Sequence, residues 1–94
     1  MNRNEVLNKA ISTWGYMMQE DICIEEMSEL TKAIIKNRRN QETEFSGRID
    51  SIKEENADVQ IMLDQMRIVY GSTASLEESK LERLAKRLGC KYNA

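Results

Sequence analysis

The stretch Cys23-Ile24-Glu25-Glu26-Met27-Ser28-Glu29-Leu30 decides how this chain is read. Cys23, Met27, Leu30 and then Ile34 recur at steps of three and four, with Ile24 and Ile35 on a flank. That spacing predicts an amphipathic helix with one side packed against a core. Glu26 and Glu29 stand three apart, about 60° around a helix axis, and so share a side. Within one helix such a pair is repulsive. A second run of the same kind, Glu54-Glu55-Asn56-Ala57-Asp58-Val59, lies downstream. It falls in a segment from about Gly47 to Val69, where Ile49, Ile52, Val59, Leu63 and Met66 keep helical spacing. Asn56 falls in that seam, where a buried hydrogen bond is its expected use.

The separation of the two acidic runs links them. From Glu29 to a helix end near Arg39 is about 15 Å, and from Gly47 to Glu55 about 12 Å, at 1.5 Å per residue. The polar stretch Asn40 to Ser46 reads as a connection. If it folds the two helices into an antiparallel hairpin, Glu26, Glu29, Glu55 and Asp58 come level. Four carboxylates in one volume repel unless a cation joins them. With oxygen ligands alone the natural occupant is Mg²⁺ or Mn²⁺ rather than zinc. Continuing along the same lines reaches Gln19 and Lys36 on one helix and Arg48 and Gln65 on the other. Lys36, Arg48 and Gln65 could then hold a metal-bound polyphosphate, or be ordinary solvated surface.

Around this hairpin the chain reads as all-α and as one domain, 1–94. A first helix from about Asn4 to Thr13 carries Leu7, Ala10, Ile11 and Trp14, and Gly15 marks a break before the second. Gly71-Ser72-Thr73 interrupts the pattern again. Ser75 with Glu78 resembles a capping box opening a last helix, about 76–89. That helix bears Leu76, Leu81, Leu84, Ala85 and Leu88, with Gly89 as its stop.

Composition narrows the function. The chain has 14 basic and 16 acidic residues and a formal net charge of −2, which argues against a general nucleic-acid binder. No apolar run approaches the roughly 20 residues that span a bilayer. The polar start, Met1 to Glu5, lacks the apolar stretch of a signal peptide, so a cytoplasmic location is expected. No proline interrupts a helix, and no histidine is available for catalysis or metal binding. Cys23 and Cys90 match no zinc spacing and are expected to be reduced, with Cys23 packed on its apolar stripe. Ninety-four residues bury a modest core, which favours oligomerisation.

Trp14-Gly15, Gln19, Glu25-Glu26-x-x-Glu29-Leu30 and Glu54-Glu55-x-x-Asp58-Val59 together resemble the MazG-like branch of the all-α nucleoside triphosphate pyrophosphohydrolases. The motif core covers about 14–70, with a spacer of 25 residues, 30 to 54, between the acidic pairs. The resemblance implies a four-to-five-helix bundle that hydrolyses nucleoside triphosphates to a monophosphate and pyrophosphate, as nucleotide house-cleaning. It implies Glu26, Glu29, Glu55 and Asp58 as Mg²⁺ ligands, with Glu25 or Glu29 accepting the proton of the attacking water. Glu25 and Glu54 would be flanking acids. Trp14 would line a base pocket or belong to the core, and Gln19 and Gln65 would stand on the substrate side. Many relatives carry Asn or Asp where this chain has Gln65. Family members are commonly homodimers or homotetramers, with sites completed by a neighbouring subunit. Two rivals share the architecture. One is a hydrolase of another phosphoanhydride such as phosphoribosyl-ATP; the other is a helical oligomerisation or regulatory module without catalysis. Di-iron bundles require Glu-x-x-His pairs, which a chain without histidine cannot supply.

Overall fold

A computed structural model of the chain describes residues 1–39 and 45–93 and leaves out the side chains of Phe45, Ser46 and Arg48. Four helices follow in order: α1 Arg3–Trp14, α2 Tyr16–Arg39, α3 Phe45–Tyr70 and α4 Ala74–Arg87. Every described element is helical, so the expected all-α class is observed, with boundaries within about three residues of the periodicity. The connection expected at 40–46 is shorter at its far end, because α3 already begins at Phe45; residues 40–44 lie outside the described part.

Local chemistry sets the breaks. Asn2 caps α1, its side-chain oxygen accepting from the Glu5 backbone N–H at 2.9 Å. Gly15, at φ 87°, takes a backbone conformation that β-carbons disfavour and separates α1 from α2 by a single residue. α4 ends in a Schellman turn at Gly89, with Cys90 N–H donating to the Ala85 carbonyl at 2.9 Å and Gly89 N–H to Lys86 at 3.1 Å.

The start of α4 departs from the capping-box expectation. Thr73, not Ser75, is the cap residue, and no side chain caps the backbone through Glu78. Instead Arg67 on α3 donates to Thr73 Oγ1 at 2.9 Å and to Glu77 at 3.0 Å, while the Thr73 hydroxyl donates to Glu77. This contact draws Thr73 and Glu77 onto α3 and starts the helix two residues before the capping-box position.

α2 and α3 pair as an antiparallel hairpin, and α1 lies against both. The core sits at the α1 end, around Leu7, Cys23, Val59 and Met62. Burial pushes the Cys23 thiol up, and both cysteines are free, Cys23 buried and Cys90 exposed. At the same end the Tyr70 hydroxyl on α3 donates to the Glu20 carboxylate on α2.

Four positions expected to pack do not. Trp14 is 58% exposed on the outer side of α1, because Gly15 turns the chain directly after it. Met27 and Ile34 are exposed although they share the stripe of Cys23, since α3 covers only one edge of that stripe. Asn56 is exposed rather than buried and accepts from Gln60, one turn along, at 3.4 Å.

α4 is the larger departure. Its backbone approaches none of the other three helices. Leu76, Leu81, Leu84 and Leu88 are all exposed, and Ala85 is buried under the helix's own terminal turn. Three helices pack together and the fourth projects. Among the described residues no helix is long and apolar enough to cross a membrane.

Candidate metal centre

The hairpin aligns the acidic runs. Glu26 from α2 and Glu55 and Asp58 from α3 bring one carboxylate oxygen each to within 4.8 Å of one another. The spacing explains why. Glu55 and Asp58 stand on one side of α3, and the antiparallel pairing sets Glu26 opposite them. Glu26 and Glu55 are half-buried at the helix interface and Asp58 is exposed, so the cluster has a floor and an open mouth.

Glu29, expected as a fourth ligand, is not in this group. Its carboxylate pairs with Lys32 one turn further along α2, at 3.3 Å. Lys32 is largely exposed and Glu29 about half exposed, so the pair is weak. Glu25 and Glu54 flank the cluster on exposed positions.

The charges act on one another. The Glu26 carboxyl is raised above its ordinary value, first by loss of solvent at the helix interface, then by Asp58, Glu55, Glu25 and Glu29. Like charges gathered without a cation produce this direction of shift. The donor set also fits a hard divalent ion. It offers oxygen alone, and its spread of up to 4.8 Å compares with about 4.2 Å between opposite ligands of an octahedral Mg²⁺.

The outlying residues divide. Gln19 and Gln65 are 2% and 4% exposed, buried between the helices. Each is seven residues from the cluster, Gln19 before Glu26 and Gln65 after Asp58, so both lie about 10 Å along the bundle toward α1. Among the described residues Gln19 Nε2 and Gln65 Oε1 have no hydrogen-bond partner, while Gln65 Nε2 donates to Met62 Sδ at 3.8 Å. One unpaired donor and one unpaired acceptor at the same level would satisfy each other if the two amides turned to face. Their burial makes them part of the packing and keeps them from the surface. Trp14 lies on the outer side of α1, in a shallow apolar hollow with Met1, Val6 and Lys9. Lys36 is exposed two turns beyond Glu29, toward the hairpin connection. Arg48 stands two turns before Glu55 on the same end, with its side chain outside the described part.

An ionic cluster that the motif did not point to lies at the other end of α3. Asp64 accepts from Arg3 on α1 at 2.7 Å and from Arg67 at 2.9 Å, and Arg67 continues to Glu77 on α4. Hydrogen bonding and charge from Arg3, then Arg67, hold the Asp64 carboxyl low, and Thr73 and Arg67 do the same for Glu77. Its sequence trace is a lone Asp64/Arg67 pair at helical spacing, indistinguishable from a surface pair. Comparison with protein-family models, curated proteins and solved structures returned no match.

Proposed function

We propose that this chain is a Mg²⁺-dependent nucleoside triphosphate pyrophosphohydrolase of the MazG-like all-α type, releasing a nucleoside monophosphate and pyrophosphate. On this reading it is a cytoplasmic homodimer or homotetramer. The observation that carries the proposal is the convergence of Glu26, Glu55 and Asp58 from two antiparallel helices. Glu26, Glu55 and Asp58 hold the metal, with Mn²⁺ as a substitute. Bound Mg²⁺ supplies charge neutralisation for the polyphosphate and lowers the pKa of a water. Glu29 is one turn from Glu26 and is released from Lys32 at small cost, so it can join the ligands or accept the water's proton. Glu25 is the other candidate base. Lys36, two turns beyond Glu29 on the connection side, and Arg48, two turns before Glu55, would be the contacts to a leaving pyrophosphate.

The test is a panel of ribo-, deoxy- and modified triphosphates with Mg²⁺, scored for pyrophosphate, with Glu26→Gln as control. Pyrophosphate from the parent and none from the variant supports the reading; orthophosphate alone overturns it. A second reading, an assembly module whose acids are a solvated face, is favoured by the bare leucines of α4. Melting separates the two, since a cation bound only by the folded state stabilises it by about 2.7 kcal/mol at a hundredfold excess over Kd. We expect Mg²⁺ to raise the Tm of the parent and not of Glu55→Gln. No rise at millimolar Mg²⁺ favours the assembly module.

A further inference from the structure

Two apolar faces are left bare, and they are on different helices. The first runs the length of α2: Tyr16, Met17, Ile24, Met27, Ile34 and Ile35 are all exposed and fall within about 100° of the helix circumference. The charged side chains inside this sector are Glu20, which is engaged by Tyr70, and Arg38 in the last turn of α2. The second is the Leu81, Leu84 and Leu88 face of α4. α4 does not fold back onto its own bundle. Arg67, tied to Asp64 and through it to Arg3, grips Thr73 and Glu77 and fixes the direction in which the helix leaves.

The exposed area measures what is missing. The chain exposes 7581 Å² for a mass of 10.9 kDa, whereas a compact monomer of that mass exposes roughly 5,600 Å². The excess, about 2,000 Å², is within what an obligate dimer removes from each partner, about 1,000–2,500 Å². The radius of gyration agrees, at 16.7 Å against about 12 Å for a compact chain of this length.

We propose that the outer face of α2 and the leucine face of α4 form one two-fold interface with a second copy of this chain, each α4 lying on its partner's bundle. A lipid surface fits less well. α4 carries three acidic and four basic side chains, a balance of +1, where a helix bound to anionic lipid is strongly cationic. The sector on α2 holds a single basic residue, Arg38 in the last turn, against one acidic residue, Glu20. The interface deepens the oligomeric part of the reading above and is independent of its chemistry. Glu26 lies about 130° around α2 from the centre of the apolar sector, so the mouth of the acidic cluster stays open.

The experiment is sedimentation equilibrium on the full chain from 1 to about 100 µM, with Ile24→Glu and Leu84→Glu. The expected result is a dimer, or a multiple of it, for the parent, and a monomer of unchanged helical content by circular dichroism for each variant. A monomeric parent at the highest concentration overturns the proposal, as does binding of that monomer to phosphatidylserine vesicles. Dissociation by one variant alone also overturns it, because the two faces would then not share an interface. Should a glutamate variant unfold, Ile24→Ser and Leu84→Ser are read by the same criterion. Pyrophosphate release is assayed separately, so a failed dimer and a failed hydrolase give different results.

Discussion

The inner seam of the α2–α3 hairpin and α4 are written in the same pattern, apolar residues at steps of three and four with charges between them, yet they end in opposite circumstances. In the hairpin the pattern finds a partner within the chain: Cys23, Val59 and Met62 are buried, and the acids at the margin of the seam are carried into register. In α4 the same pattern finds none, and its leucines remain exposed. Amphipathic spacing states that a face is to be covered. It does not state by what. The difference between the two regions lies in the connections. The hairpin reverses direction and lays helix on helix, whereas the corner at Gly71 to Thr73 is tied by Arg67 so that α4 points away.

Substitutions can break this contrast in order of expected effect. Glu55→Gln removes a carboxylate from the cluster and should lower Mg²⁺-dependent pyrophosphate release by on the order of 10²–10³-fold, the scale of losing one preorganised electrostatic contact. Glu82→Gln on α4 should change it less than about twofold, and an equal loss at both positions would refute the assignment of chemistry to the hairpin. Met62→Ala should cost about 2–5 kcal/mol in urea unfolding at any protein concentration, because Met62 is buried within its own chain. Leu84→Ala should cost an amount that grows with protein concentration, because what it loses is contact between chains. A concentration-independent cost of similar size would place Leu84 inside its own fold.

Arg67→Met touches the hinge between the regions. Its contacts are exposed, so the expected loss of stability is below about 1 kcal/mol. Amide exchange over 73–78 should nevertheless accelerate, because the groups that hold the start of α4 are gone. Unchanged exchange there would show that the corner is set by backbone alone.

Acid should act on the two regions with opposite sign. Glu26 keeps its proton to higher pH in the folded chain than in the unfolded one. Its contribution is therefore favourable below the ordinary carboxylate range and is lost as pH rises from there through the raised value of the folded chain. Asp64 and Glu77 have lowered values, so their contribution is present above that range and disappears as pH falls through their folded values. Site-resolved exchange between pH 6 and 3 without divalent cations should show the middle of the hairpin steadied before the corner loosens. Both moving together would refute the opposition.

Much of this arrangement was legible in the residues. The absence of proline, with Gly15 and Gly71 at the breaks, was enough to place the four helices, and the distances from each acidic pair to the connection put Glu26 level with Asp58. Glu29 escaped because the spacing that sets it beside Glu26 also sets it one turn from Lys32, and only side-chain geometry chooses between them. Asn56 and Trp14 escaped because a seam read from spacing does not show where the covering helix ends. The corner escaped because Arg3 and Asp64 are 61 positions apart and nothing in either neighbourhood announces the other.

The two cysteines turn the molecule into its own clock. Cys90, exposed after α4, should be alkylated at once, whereas Cys23 reacts only when the helices around it part. The slow phase of thiol consumption would therefore count openings of the core, one chain at a time, with no label added and no residue changed. Its slowing with added Mg²⁺ would give a binding constant for the acidic cluster read from a sulfur on the neighbouring turn.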